Sequence, residues 1–188
     1  MFDGNVILVE DFLINHRELF DELIGLDYFE GSYNMYGKQV PRPRLQQTEP
    51  TKCLWTESTL VVKRDIESYC ATLGVEVDFN YTLYNLYKTG DNHISWHHDK
   101  EAIPAGKDVV ASLTLGCARD FQIKKYESPI ERKNRIAAGE KPYPITTIEL
   151  KSGSLLIMKG AFITDYLHRV PKRKGVTKPR LNITFRIT

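Results

Sequence analysis

The tripeptide His97-His98-Asp99 sets a histidine and a carboxylate at positions i and i+2. In an extended segment alternate side chains point the same way, so His97 and Asp99 can grip one ion while His98 faces elsewhere. Two histidines and one carboxylate on one face of a metal leave three coordination positions open. Mononuclear non-haem iron(II) sites have that form, and a bidentate cosubstrate and dioxygen take the open positions. The third ligand must come from a distant segment that returns to the same scaffold. His93 lies only four residues before His97, whereas His168 lies beyond three predicted strands and is the better placed.

The run Arg180-Leu-Asn182-Ile-Thr184-Phe-Arg186 adds to this reading. As a strand it carries its polar side chains on one face and its apolar ones on the other. With the polar face inward, two guanidinium groups are buried and need carboxylate partners, and that end of the chain offers no matching acidic pair. A dicarboxylate ligand would satisfy both, since the planar fork of arginine suits a carboxylate. Asn85-Leu-Tyr87, again i and i+2, can hydrogen-bond a carboxylate without adding charge. The expected metal ligands are therefore His97, Asp99 and His168, beside a cosubstrate pocket drawn from Asn85, Tyr87, Arg180, Asn182, Thr184 and Arg186.

Such a site needs a β-rich scaffold. From Asp78 onward the chain has short β-prone runs over 79–88, 108–115, 120–126, 145–150, 154–158 and 181–187, with Gly90, Gly106, Gly116 and Gly153 between them. A series of this kind predicts a mainly β (α+β) domain built as a sandwich or barrel. Ahead of it, 11–23 and 59–73 show near-helical apolar spacing, and Gly74 is placed to stop the second helix. Two stretches read as loops: 37–51, with Pro41, Pro43 and Pro50, and the proline-bounded basic segment 128–144.

With 188 residues, 41% hydrophobic and 27% charged, the sequence is expected to form a single soluble domain, about 1–77 supporting and about 78–188 forming the core. No apolar run reaches the roughly 18 to 20 residues of a membrane span, and the N-terminus lacks the features of a secretory signal, so the expectation is an intracellular protein, cytoplasmic or nuclear. Cys53, Cys70 and Cys117 are odd in number and have no CxxC spacing, which argues against a disulfide framework or a zinc ribbon. The net charge is only +2, but the basic residues cluster: Lys38, Arg42 and Arg44; Lys124, Lys125, Arg132, Lys133 and Arg135; Arg169, Lys172, Arg173, Lys174 and Lys178.

The order of these features, from YNLYKTGDNHISWHHDKE through VVASLTLGCARDFQIK and LKSGSLLIMKGAFITDYLHRVP to PRLNITFR, resembles the AlkB family of 2-oxoglutarate-dependent nucleic-acid dealkylases. Asn85 and Tyr87 stand twelve and ten residues before His97, and Arg180 and Arg186 twelve and eighteen after His168, in the family's RxNxTFR form. The resemblance implies a double-stranded β-helix, a jelly-roll-like core with N-terminal supporting helices. It implies iron(II), with 2-oxoglutarate and dioxygen as cosubstrates. In this arrangement Arg180, Asn85 and Tyr87 would hold the distal carboxylate of 2-oxoglutarate, and Arg186 would lie nearer the iron-chelating end. The implied activity is oxidative removal of N-linked alkyl groups from DNA or RNA. Glu101 occupies the position of an acidic residue that helps place the base. The segment around PRPRLQQTEPTKCLWTES, with Arg42 and with Trp55 as candidate stacker, would form a nucleotide-recognition lid. An oxygenase acting on a protein, lipid or small molecule, and a non-catalytic nucleic-acid-binding module, are the alternatives. A monomer without an obligate protein partner is expected.

Overall fold

The computed structural model describes residues 4–35, 37–49, 55–99 and 108–188. The strands among them form two antiparallel sheets. The larger has the order β1 (Val6–Val9), β9 (Leu155–Lys159), β6 (Val109–Gly116), β11 (Arg180–Arg186), β4 (Tyr81–Tyr87), β3 (Lys38–Glu49) and β2 (Phe29–Met35). The smaller has the order β5 (Ile94–His97), β10 (Tyr166–Val170), β7 (Arg119–Lys125) and β8 (Thr146–Leu150). The two sheets make the expected jelly-roll core.

Period-two alternation sorts the central strands of the larger sheet between two environments. Ala111, Leu113, Leu115, Leu181, Ile183 and Phe185 join Leu19 and Leu23 of α1 (His16–Leu23) and Val62, Ile66 and Cys70 of α2 (Glu57–Thr72) in one buried cluster. On the other face Val110, Leu156 and Met158 meet Phe121, Ile123 and Val170 of the smaller sheet. Each fully buried aliphatic side chain contributes about 1.5–3 kcal/mol. An eight-residue helix such as α1 is too short to stand alone in water, so this packing holds it. The alternate residues of β11, Arg180, Asn182, Thr184 and Arg186, therefore face into the barrel, and every residue of that strand is buried.

Helix α2 lies where the apolar spacing puts it. Its N-terminal Thr56 hydroxyl accepts from the Thr59 N–H at 3.1 Å, and Gly74 closes it with φ +71°. Helix α1 starts at His16, later than the apolar spacing suggests, because the Leu13 N–H is bonded to the Gly153 carbonyl at 3.0 Å.

Both segments read as loops hold an element of regular structure, while 138–144 is a loop as read. The 37–51 segment is largely β3, so the first 77 residues contribute strands as well as helices. Proline is tolerated there because β3 pairs with β4 only over Leu45–Glu49. Pro43 lies beyond that ladder, and its carbonyl accepts instead from the His93 N–H and from Asn92 Nδ2, each at 3.1 Å. The 128–144 segment begins with α3 (Pro129–Ala137), opened by a capping box in which Ser128 and Glu131 satisfy each other's backbone N–H groups. No helix among the described residues is long and apolar enough to cross a membrane.

Candidate metal centre and cosubstrate pocket

Strands β5 and β10 pair with His97 opposite His168. Asp99 follows β5 by two residues, and the three ligand-type atoms lie within 4.8 Å of one another. Asp99 Oδ2 is 3.3 Å from His168 Nε2, Asp99 Oδ1 is 3.8 Å from His97 Nε2, and the imidazole centroids are 4.2 Å apart. His97 Nδ1 donates to the Ser95 carbonyl at 2.9 Å, which leaves Nε2 with its lone pair toward the cluster. The His168 ring stacks on Phe121 at 5.1 Å. His98 turns away from the other two: its Nδ1 lies 3.3 Å from the Ile163 carbonyl and its ring meets Tyr126 edge-on.

Burial pushes the Asp99 carboxyl up, but the Arg186 guanidinium and then His168 outweigh it and hold the group well below the usual carboxylate range. Burial, then the neighbouring His168, lowers His97 to about 4. Both groups are thus in the ligating form at neutral pH. An unfolded chain protonates its histidines near pH 6.5 and its aspartates near 3.9, so it binds more protons than the native state below those values. Stability in the presence of a chelator is expected to fall as pH drops from about 6.5 toward about 4, the lowered His97 value, and further as Asp99 is forced to protonate. Urea unfolding across that range checks it. His97→Gln should flatten the upper part of the curve, and an unchanged slope in that variant would refute the assignment.

The triad opens into a pocket of about 330 Å³ whose wall carries Asn85, Asn182, Thr184 and Arg186. Asn182 donates to Ser112 Oγ at 2.8 Å and to the Leu113 carbonyl at 3.0 Å. Arg186 donates to Asp99 Oδ1 at 2.7 Å. This corrects one step of the sequence argument: Arg186 has an acidic partner, the carboxylate of the triad. Arg180 has none among the described residues. It is fully buried, donates from Nη2 to Thr114 Oγ1 at 2.9 Å and sits 5.2 Å from the Tyr87 ring, while among the described residues its Nε and Nη1 have no hydrogen-bond partner. Burial lowers it to about 10, so it stays charged at neutral pH. Arg180 and Tyr87 stand one inward-facing position beyond Asn182 and Asn85, directly opposite each other across the β11–β4 ladder.

The pocket also holds Arg42, expected at the substrate, and three further β3 side chains that the sequence did not point to. Arg42, Arg44, Gln46 and Thr48 alternate along β3 and line it together. Arg44 Nε donates to Asn85 Oδ1 at 2.6 Å, and Gln46 Nε2 donates to the same oxygen at 3.1 Å. The polar alternation was present in PRPRLQQT, but the prolines concealed a strand. Arg42 is thus brought to the pocket. Trp55 is not among the residues lining the pocket; it precedes α2, with Lys63 Nζ of that helix 5.5 Å from its ring centroid. Glu101, the other residue expected to touch the base, lies outside the described residues, as does Cys53.

Residues 26–186 match the family model of the 2OG-Fe(II) oxygenase superfamily. A mouse protein named DNA oxidative demethylase ALKBH2 is 33% identical over 183 residues, covering 90% of this chain and 72% of its own. The chain belongs to the AlkB family of 2OG-Fe(II) oxygenases. Human alpha-ketoglutarate-dependent dioxygenase alkB homolog 3 is 38% identical over 109 residues, 57% of this chain and 36% of the human one. An Arabidopsis thaliana relative, also named DNA oxidative demethylase ALKBH2, is 35% identical over 121 residues, and the match covers 58% of this chain and 38% of the plant one. The match thus spans well under half the length of some AlkB relatives. Among solved structures, OsALKBH1 superposes with a TM-score of 0.67 at 16% identity, over 97% of each chain, and shows the shared fold. AlkB membership brings iron(II), 2-oxoglutarate and dioxygen, and the site fits them. Two imidazoles and a carboxylate suit iron(II). The buried, half-satisfied Arg180 suits a carboxylate.

Proposed function

We propose that this chain removes N-linked alkyl groups, such as the methyl groups of N1-methyladenine and N3-methylcytosine, from DNA or RNA, coupled to decarboxylation of 2-oxoglutarate to succinate. The observation that carries the reading is the pairing, in one barrel, of the His97–Asp99–His168 cluster with the anion-seeking Arg180. Iron with its two cosubstrates supplies the oxidising chemistry when bound. His97, Asp99 and His168 would hold the metal. Arg180, Tyr87, Asn85 and Asn182 would hold 2-oxoglutarate, with Thr184 beside them. Arg186 keeps the Asp99 carboxylate ionised and aimed.

Relatives named as DNA demethylases support a nucleic-acid substrate. A base inside a duplex cannot reach such a pocket, so it must be flipped out or already unpaired. Arg42 and Arg44 add positive charge to the pocket for the phosphate of an entering nucleotide, and Glu101 would meet the base. The reading includes an intracellular monomer, checked by sedimentation. A second reading has one observation in its favour. An epimerase of nogalamycin biosynthesis, SnoN, superposes with a TM-score of 0.64 at 16% identity, over 96% of this chain and 76% of its own, so the fold also serves small-molecule chemistry.

Purified protein with iron(II), ascorbate and 2-oxoglutarate is expected to demethylate methylated oligonucleotides, with mass spectrometry resolving single-stranded DNA, duplex DNA and RNA. Binding should weaken steeply with salt; a flat dependence counts against phosphate contacts. Turnover retained in both His97→Ala and Asp99→Ala would sink the ligand assignment, and turnover confined to small molecules would favour the second reading.

A further inference from the structure

Arg119, on β7, has no place in the chemistry described so far, yet it is 1% exposed. Its guanidinium ends on backbone carbonyls of two separate loops: Nη1 donates to Thr89 at 3.2 Å, and Nη2 to Asn92 at 2.9 Å and Pro171 at 2.6 Å. The first loop runs directly into β5 and His97. The second leaves β10 three residues after His168.

These strands need outside support. β5 is a four-residue edge strand, and its register with β10 is irregular between the His97 and Ile94 pairs. The loops are joined to each other at Gly90, whose N–H donates to the Val176 carbonyl at 2.8 Å and whose carbonyl accepts from the Arg173 N–H at 2.9 Å. The approach is so close that a Cβ on Gly90 would stand 1.8 Å from the Arg173 carbonyl oxygen. Arg119 spans this junction. Its guanidinium also lies 5.7 Å from the Tyr87 ring centroid, and that of Arg180 lies 5.2 Å from the same ring.

A buried guanidinium bonded to carbonyls, with no ion pair among the described residues, carries a desolvation cost that a plain hydrophobic residue would avoid. Filling space does not explain it. Fixing two loops at once from one rigid, planar donor set does. We propose that Arg119 is a positioning residue of the metal site: it locks the loops flanking β5 and β10, the strands that carry His97 and His168, to each other and to the Tyr87 ring on which Arg180 lies. The proposal rests on reading this pocket as the iron and 2-oxoglutarate site, but its test needs no nucleic acid.

Cobalt(II) serves as a spectroscopic probe, read by visible absorption, and 2-oxoglutarate binding to the cobalt-loaded protein is read by calorimetry, in wild type, Arg119→Gln and Arg119→Lys. Supporting residues of metal ligands typically change metal affinity by about 10–100-fold. That loss is expected in Arg119→Gln, with a smaller one in Arg119→Lys, which keeps the charge but cannot bridge both loops. Amide hydrogen exchange should quicken at 88–97 and 170–176 while 109–116 and 180–186 stay protected. Cobalt affinity within twofold of wild type in both variants overturns the proposal, and so does faster exchange spread evenly over both sheets, the mark of ordinary destabilisation. A wild type that takes up neither cobalt nor 2-oxoglutarate overturns this proposal and the pocket reading together. One that takes up both yet leaves methylated oligonucleotides untouched overturns the substrate reading alone.

Discussion

Arg180→Met is expected to lose 2-oxoglutarate binding by two to three orders of magnitude while the ligand-free protein unfolds at the same or a higher temperature. The two halves of this result have one cause. In the absence of a ligand, Arg180 is a buried charge whose Nε and Nη1 have no hydrogen-bond partner among the described residues and which lies against the Tyr87 ring and the Thr114 hydroxyl. Replacing such a group by an apolar side chain of similar length relieves desolvation and is neutral or stabilising. With a carboxylate present, the same charge becomes half of a buried ion pair, and removing one half costs about 2–5 kcal/mol of binding. The unfolding temperature of wild type should therefore climb with 2-oxoglutarate concentration, by mass action, and that of the variant should not. Calorimetric titration and thermal scans with and without 2-oxoglutarate read both quantities. Unaltered 2-oxoglutarate affinity in Arg180→Met, or a ligand-free variant markedly less stable than wild type, would count decisively against the pocket.

Most of the candidate site was legible because it sits on extended segments, where spacing translates directly into facing. His97 and Asp99 at i and i+2, and Arg180 through Arg186 on alternate positions, needed only a period of two. What alternation could not show was pairing across the barrel. Asp99 and Arg186 are 87 residues apart, so the sequence left Arg186 without a carboxylate that the fold provides. The strand in 37–51 was hidden for a different reason. Proline at 41 and 43 is evidence against a central strand, and only the place where β4 ends makes it acceptable in β3. Helix α3 was missed despite Ser-Pro-x-Glu at its start, because its exposed residues give it no apolar stripe to read. Arg119 was invisible to spacing altogether, since its partners are backbone carbonyls on loops 27 to 52 residues away.

In Asp99→Ala, metal binding and turnover are expected to vanish, and the protein should also lose about 3–5 kcal/mol of stability, because the buried Arg186 guanidinium loses the carboxylate half of its 2.7 Å ion pair. The second effect separates this aspartate from an ordinary metal ligand, whose removal from metal-free protein would cost little. Arg186→Met in the same chain removes the other half of the pair, so the double variant should recover much of the stability while turnover stays at background. The coupling energy from the four proteins, measured by urea unfolding in a chelator, isolates the pair. Arg186→Met alone keeps all three ligand side chains but takes away the group that holds the Asp99 carboxyl down. Its metal affinity should fall by about 10–100-fold, most steeply at acid pH, where the carboxyl now competes for a proton. If Asp99→Ala proves as stable as wild type without metal, the 2.7 Å contact is not an ion pair of consequence. Arg186 would then have to be reassigned to direct contact with the cosubstrate, as the sequence alone suggested.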